Sequence, residues 1–133
     1  MKNRFRIICV LLAVLGGATD AVAADPTFKW TMNGVKDELV IPEERLLKCP
    51  KADPEKGILP LNFERAEILA TSSVADLPKP GVLEVSLQPV LLKGEKIWIY
   101  LVTIFGGGEN HRSVHVAVLM DGMVLRAARE QPK

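Results

Sequence analysis

The stretch KIWIYLVTIF, residues 96–105, decides the fold of this chain. Successive side chains of a strand point to opposite faces of its sheet, and in this stretch both sets are apolar. One face carries Trp98, Tyr100, Val102 and Ile104, and the other carries Ile97, Ile99 and Leu101. Because a strand of this kind is buried on both faces, we expect it at the centre of a sheet that is covered on both sides.

Another strand is predicted before this central stretch. Residues 82–88 alternate, with Leu83, Val85 and Leu87 on one face and polar side chains on the other, which indicates a half-exposed strand. Pro89 has no N–H to donate to a neighbouring strand. We therefore expect this strand to lie at an edge of the sheet or to carry a bulge at the proline.

A hairpin is predicted after the central stretch. Alternate residues of 114–120 are apolar and share one face of a strand. Asp121-Gly122 then predicts a two-residue type I′ turn, in which both central positions have a positive φ, and residues 123–128 return as the partner strand. Residues 82–128 together predict a four-stranded antiparallel meander.

The first half of the chain is less regular. Residues 28–32 and 35–41 predict a second hairpin, with Asn33-Gly34 at its turn. Residues 42–47 begin with proline and two glutamates, which suit the first turn of a helix, and we expect a short helix there.

Residues 62–70 allow two interpretations. Asn62 can cap a helix of good helix formers, but the same residues could pair as a strand. We favour the helix.

The sequence has neither an internal repeat nor a long linker, so residues 24–133 predict one mainly β (or α+β) domain. The expected fold is a small antiparallel β-sandwich or half-open barrel of about six strands, with one or two short helices.

An export signal is predicted at the N terminus. Three basic residues precede the apolar run 7–15, and the small-residue pattern AVA ends at Ala23. Spanning a bilayer takes roughly 20 apolar residues, so this run is too short for an anchor. We expect residues 1–23 to be a cleaved signal peptide of bacterial proportions. The mature protein is then expected in the periplasm or the extracellular medium, with no membrane span.

Composition excludes several classes of protein. The chain has 133 residues, and loss of residues 1–23, with three of its 17 basic and one of its 16 acidic residues, leaves 110 residues with a net charge of −1. A balanced charge argues against a nucleic-acid-binding protein, and the 48% hydrophobic content argues against disorder.

One cysteine, Cys49, remains after loss of the signal peptide, so a disulfide scaffold is excluded. A lone thiol in an oxidising compartment is buried, reactive or bridged to another chain, and its apolar surroundings favour burial.

A glycine-rich segment between two predicted strands is the most unusual local feature. It comprises Gly106, Gly107, Gly108, Glu109, Asn110, His111 and Arg112. Three consecutive glycines are costly to order, and a simple turn needs fewer. Either the segment is a recognition loop that presents varied polar groups to a partner, or it is a solvated connector. Its spacing does not match a phosphate-binding loop.

Catalytic and metal-binding signatures are weak. Residues 111 and 115 are the two histidines, but four residues of strand span roughly 13 Å, and no third His or Cys stands nearby. We therefore predict neither a metal nor a cofactor. The sequence lacks a nucleophile elbow, which leaves a pair of Cys49 with one of the histidines as the enzyme alternative.

These features predict an exported, non-catalytic binding protein that acts through a protein–protein surface. An inhibitor, an immunity-type protein or an accessory of an envelope or secretion assembly would share them. The expected partner is another protein, such as an enzyme, a toxin or an envelope complex, and the expected state is a monomer or homodimer. A structural subunit that pairs through an edge strand, near residues 82–92 or at the last strand, is a further alternative.

Overall fold

The computed structural model describes residues 25–32, 34–106 and 112–129. Within these ranges the chain forms seven strands, two α-helices and one 3₁₀ turn. In chain order they are β1 (Thr27–Met32), β2 (Val35–Val40), α1 (Glu43–Leu47), the 3₁₀ turn (Pro54–Lys56), α2 (Phe63–Ser72), β3 (Pro80–Leu92), β4 (Glu95–Gly106), β5 (Arg112–Leu119), β6 (Val124–Arg126) and β7 (Ala128–Arg129). The predicted signal peptide, residues 1–23, lies outside the described residues.

Strands β3 to β6 form an antiparallel sheet in chain order, which we call the large sheet. This order confirms the meander predicted for residues 82–128. The apolar central stretch lies in β4, which pairs with β3 on one side and with β5 on the other. Lys93 and Gly94 join β3 to β4 with φ values of 48° and 79°, the two positive values that a type I′ turn requires.

Strand β3 is an edge strand of the large sheet, as the proline within it predicts. Pro89 pairs with Trp98 in an unbroken register. Proline is tolerated in a strand where its missing N–H would face away from the neighbour, and an edge strand offers such positions. The edge is therefore compatible with Pro89 without any bulge at that residue.

A bulge occurs earlier in β3, between Val82 and Glu84. Leu83 is the unpaired extra residue, and it is 56% exposed, whereas Val85 is buried. The predicted alternation of Leu83 with Val85 and Leu87 is wrong at Leu83. The extra residue shifts the register by one position, and a one-residue shift moves a side chain off its expected face.

Strands β1, β2 and β7 form a second antiparallel sheet, which we call the small sheet. The predicted first hairpin is confirmed as β1 and β2. The single return strand predicted over residues 123–128 divides instead into β6, which pairs with β5, and β7, which pairs with β2. The chain therefore passes from one sheet to the other at Ala127, and the described residues hold seven strands where six were expected.

The turn between β5 and β6 differs from the predicted type I′ turn. Gly122 has a φ of 94°, but Asp121 does not have a positive φ. The Gly122 N–H donates to the Leu119 carbonyl at 2.8 Å, and the Met123 N–H donates to the Asp121 carboxylate at 3.0 Å. Because the aspartate side chain bonds its own turn, Asp121 keeps a negative φ and only the glycine takes the left-handed position.

Two hydrophobic cores lie on opposite faces of the large sheet. The first, beneath α2, contains Ala66, Ala70, Val74, Leu77, Val85, Tyr100, Val102, Ile104, Val114, Val116, Val118 and Met120. The second, beneath the small sheet and α1, contains Leu39, Ile41, Leu46, Val90, Leu92, Ile99, Ala117 and Leu119. The two apolar faces of β4 divide between these cores as predicted.

Both predicted helices are present. Helix α2 begins after Asn62, whose side chain accepts a hydrogen bond from the Arg65 N–H at 2.8 Å, so the helical interpretation of residues 62–70 is confirmed. The fold is therefore mainly β with two short helices, as predicted. In the described part of the chain, no helix has the length and apolar character needed to cross a membrane.

Candidate functional site

A polar cluster lies between the two sheets, where most of the surrounding side chains are apolar. His115 of β5 is at its centre and is 5% exposed. Side chains from four other strands surround it: Trp30 of β1, Asp37 of β2, Thr103 of β4 and Arg129 of β7. Buried polar groups in native proteins have hydrogen-bond partners, and this cluster supplies them to His115 and Asp37.

Three side chains lie against the imidazole of His115. The Trp30 indole stacks on it with ring centroids 4.2 Å apart and an angle of 1° between the rings. The Thr103 Oγ1 lies 3.2 Å from His115 Nδ1, within hydrogen-bond distance. On the other side, His115 Nε2 lies 3.9 Å from Asp37 Oδ2, which is beyond hydrogen-bond distance.

Arg129 fixes the position of Asp37. Its Nε donates to Asp37 Oδ1 at 3.0 Å and its Nη2 donates to Asp37 Oδ2 at 3.3 Å, the two-pronged geometry in which arginine and carboxylate bind most strongly. Nη2 also donates to the Ser113 carbonyl at 2.8 Å. We call this set of three bonds the Arg129 clamp. It ties β7 and β2 to the start of β5.

The electrostatics of the cluster favour a neutral imidazole. Burial lowers the pKa of His115 from its ordinary value, and nearby Arg129 lowers it further, whereas Asp37 opposes the shift. Hydrogen bonding to Asp37 raises the pKa of Arg129, which therefore keeps its charge. Asp37 and Arg129 together form a nearly neutral pair beside the uncharged ring.

Two surface grooves meet at the Arg129 clamp. The larger is open and measures about 610 Å³, and its walls include Lys29, Trp30, Lys36, Asp37, Glu38 and Arg129. The smaller measures about 160 Å³ and is lined by Asp37, Val114, His115, Arg126, Ala127 and Arg129. Asp37 and Arg129 belong to both, so the buried cluster and the outer surface share the same ion pair.

The predicted binding segment begins and ends next to this region. Gly106 and Arg112 close it, and they pair with each other as the last residue of β4 and the first of β5. Residues 107–111, which include Glu109, Asn110 and His111, lie outside the described residues. Ser113 follows Arg112 directly, so the Arg129 clamp holds the base of the segment.

Gly106 has a packing role that the sequence did not reveal. A Cβ atom at this position would lie 3.2 Å from the Leu77 Cβ and 3.3 Å from its Cδ2. Such contacts are tighter than side chains normally make, so Leu77 would have to shift by a few tenths of an ångström if residue 106 carried a side chain. Of the three consecutive glycines, Gly106 therefore contributes to core packing.

Cys49 lies at the other end of the large sheet. It is half-buried, and its Sγ donates to the Arg45 carbonyl at 3.3 Å. Burial raises the pKa of the thiol, and the charge of Asp121 raises it further. The Met120 backbone beside it follows His115 by five residues, roughly 16 Å of extended strand, so Cys49 and His115 are not brought together.

No group of three His, Cys, Asp or Glu side chains that could hold a metal occurs in the parts of the chain that the structure describes. His111, the histidine considered together with His115, lies outside those parts. Thr103, His115 and Asp37 do follow the order hydroxyl, imidazole, carboxylate that hydrolytic triads use. However, the ring is almost completely buried and both oxygens of Asp37 bind Arg129.

The binding segment predicted from the sequence lies next to this site, but the residues at the centre of the site were not predicted. His115 was considered from the sequence as a metal ligand or as a partner of Cys49, and the structure shows it as a buried side chain. Trp30, Asp37, Thr103 and Arg129 were not selected. One signal was available: Asp37 shares a strand face with Leu39, and a charged residue at an inward position needs a partner.

The site therefore offers an aromatic side chain, a clamped ion pair and a mixed set of surface charges beside the predicted binding segment. These groups suit recognition through hydrogen bonds, ion pairs and stacking. Comparison of the chain with protein-family models, with curated proteins and with solved structures finds no match.

Proposed function

We propose that this protein is an exported, non-catalytic binding protein that captures another protein with residues 106–112 and with the larger groove, which Arg129 connects to the base of that segment. An inhibitor, an immunity-type protein or an accessory of an envelope assembly would work in this way. The observation that carries the proposal is the Arg129 clamp, because one side chain lines the groove and also holds the base of the segment.

The chemistry of the groove supports a protein partner. Trp30 and Arg129 are of the residue types that contribute most to protein–protein binding energy, and both line the groove. Lys36 and Glu38 are exposed beside them and supply charges of both signs at the rim. A partially covered aromatic residue with a mixed polar rim is typical of protein interfaces.

The preorganisation of the surface also supports the proposal. Asp37 is buried and receives two hydrogen bonds from Arg129, so the guanidinium is already held in place before a partner arrives. A group that is fixed in the free protein loses less entropy on binding. The affinity of such a site depends less on the area buried than on these fixed groups.

Affinity capture tests the proposal directly. The mature protein is immobilised and exposed to the envelope fraction and culture medium of its own source, and retained proteins are identified and their affinity measured. We expect a specific partner to be retained by the wild type. It should be lost from the triple variant Glu109→Ala, His111→Ala, Arg112→Ala and weakened by Lys36→Glu.

A matched control separates this surface from a general effect of charge. Lys96 is also an exposed lysine on a strand, but it lies near the turn at the opposite end of the large sheet. Lys96→Glu should leave capture unchanged. If Lys36→Glu and the triple variant both bind the partner as the wild type does, the proposed surface is wrong. Export is tested separately by fractionation and by N-terminal sequencing, which should begin at Ala24.

A second candidate is an assembly subunit that pairs through β3. One observation favours it: Leu83 and Leu91 of this edge strand are 56% and 70% exposed. The bulge at Leu83 and the proline at residue 89 oppose it, because both are devices that protect a strand edge from pairing. Light scattering after size exclusion decides between the candidates. A dimer or larger species that Leu91→Lys converts to monomer would favour assembly.

A further inference from the structure

The chain contains two histidines, and the one within the described residues, His115, is placed where it can affect the proposed surface from within. His115 is buried at the joint between the sheets, and its neighbour Asp37 is the carboxylate that the Arg129 clamp holds. This inference rests on the proposed function, because it concerns the regulation of the same surface.

We propose that His115 makes the proposed binding surface sensitive to acid: when its imidazole takes up a proton, the Arg129 clamp opens, Arg129 loses its fixed position in the groove and the partner dissociates. The proton comes from solvent and returns to it when the pH rises. An exported protein experiences the pH of its surroundings, so such a device would couple capture to external acidity.

The geometry explains why a charged imidazole does not fit the closed arrangement. The ring is 5% exposed, so water cannot stabilise the imidazolium. The nearest carboxylate oxygen is 3.9 Å from Nε2, too far for a hydrogen bond, and both oxygens of Asp37 already accept bonds from Arg129. The charged ring must therefore leave its site or take Asp37 from Arg129, and either change opens the clamp.

Charged and uncharged groups face His115 from the strands around it. Asp37 of β2 attracts the proton, and Arg129 of β7 repels it. Thr103 of β4 and Trp30 of β1 are uncharged. On β6, Arg126 lines the same small groove, but its guanidinium binds Asp76 at 2.9 Å. Burial is the largest influence on the ring, and it favours the neutral form.

The direction of the pH effect follows from these contacts. The closed clamp requires a neutral ring, whereas in the opened state the ring meets water and titrates near the ordinary histidine pKa of about 6.5. The opened state therefore binds more protons in acid, and its population rises as the pH falls below about 6.5. Each pH unit in this window changes the ratio of open to closed protein by up to about tenfold.

The first experiment needs no partner. In the His111→Gln variant the single remaining imidazole is that of His115, and its NMR titration can be followed together with the backbone amides of Ser113 and Arg129. We expect the imidazole and both amides to change with one midpoint, below the ordinary histidine value. An imidazole that titrates while the two amides stay unchanged would overturn the proposal, as would an imidazole that does not titrate above pH 4.

The second experiment measures capture at pH 7.5 and pH 5.0 with wild type, His111→Gln and His115→Gln. We expect the wild type and His111→Gln to bind several-fold more weakly at pH 5.0 than at pH 7.5, because the closed fraction falls in acid. His115→Gln, if it folds, should bind equally at both values. A pH effect that follows His111 instead would assign the titration to the binding segment and refute the role of His115.

The two proposals fail in different ways. If no partner is captured at any pH while the amides of Ser113 and Arg129 still follow the imidazole, the proposed function is wrong and the acid-sensitive clamp stands. If a partner is captured equally at both pH values by the wild type, the proposed function stands and the regulation is wrong.

Discussion

The indole ring of Trp30 lies flat on the imidazole ring of His115, with centroids 4.2 Å apart and 1° between the ring planes. Trp30 belongs to the small sheet and His115 to the large sheet, so this stack is a direct contact between the two layers. It covers one face of the histidine and excludes water from it. The burial that lowers the pKa of His115 depends partly on this contact.

Replacement of Trp30 should therefore affect both stability and titration. We expect Trp30→Ala to lower the free energy of unfolding by about 2–3 kcal/mol, somewhat less than a fully buried tryptophan would cost, because Trp30 is half-buried. Trp30→Phe keeps an aromatic face and should cost about half as much. Urea denaturation measures the free energy. In Trp30→Ala the pKa of His115 should move back toward its ordinary value, and an unchanged pKa would show that the stack does not control access of water.

The ion pair between Asp37 and Arg129 should show measurable coupling. Asp37→Asn and Arg129→Gln each break the two-pronged contact, and a double-mutant cycle should give a coupling energy of about 1 kcal/mol. The value is modest because the Arg129 side chain is 36% exposed and water screens the pair. The coupling should decrease in 1 M NaCl. Strictly additive single effects would mean that the pair contributes no stability of its own.

Gly106 and Gly81 provide a matched test of packing. A Cβ atom at Gly106 would lie 3.2 Å from Leu77, whereas a Cβ atom at Gly81 would meet nothing within 4 Å. We expect Gly106→Ala to destabilise the protein by about 1–2 kcal/mol and Gly81→Ala to be nearly neutral. Thermal denaturation of both variants checks this. Equal stability of the two alanine variants would contradict the packing role.

Tyr100 should make the protein sensitive to strong alkali. Burial raises the pKa of Tyr100 to about 12, and its hydroxyl donates to the Leu61 carbonyl. The unfolded chain loses the phenolic proton near pH 10, before the folded chain does, so this contribution to stability is complete below pH 10 and is lost as the pH rises toward 12. Tyr100→Phe should be less stable at pH 7 by about 1 kcal/mol and should show a shallower decline above pH 10. Unfolding free energies at pH 8 to 11 test this difference.

Cys49 should react slowly with alkylating agents. Its pKa is raised by burial and by Asp121, so the thiolate fraction at neutral pH is smaller than in a free peptide. We expect the iodoacetamide rate at pH 7.5 to be several-fold below that of a model thiol, with a midpoint above the ordinary cysteine value. A fast rate with a low midpoint would instead support the enzyme alternative. Asp121→Asn should raise the rate slightly and serves as the control for the charge effect.

Much of the fold could be predicted from the sequence because the relevant signals are local. The alternation in β4, the hairpin turns and the cap at Asn62 each depend on residues within one element or turn. Two of the predictions that were wrong concern places where a local pattern meets a tertiary constraint. The bulge at Leu83 is one, and the transfer of the chain between sheets at Ala127 is another.

The candidate site shows the same difference between local features, which the sequence predicts, and tertiary contacts, which it does not. The sequence by itself determined that β4 is covered on both faces and that a polar, glycine-rich segment follows it, since side-chain alternation and composition are properties of consecutive residues. Only the tertiary structure decided that Asp37 meets Arg129, 92 positions later, and that both lie beside His115. Such pairings depend on which layers pack together, and packing is a property of the whole chain. The sequence shows that a buried charge needs a partner, but the tertiary structure decides which residue becomes that partner.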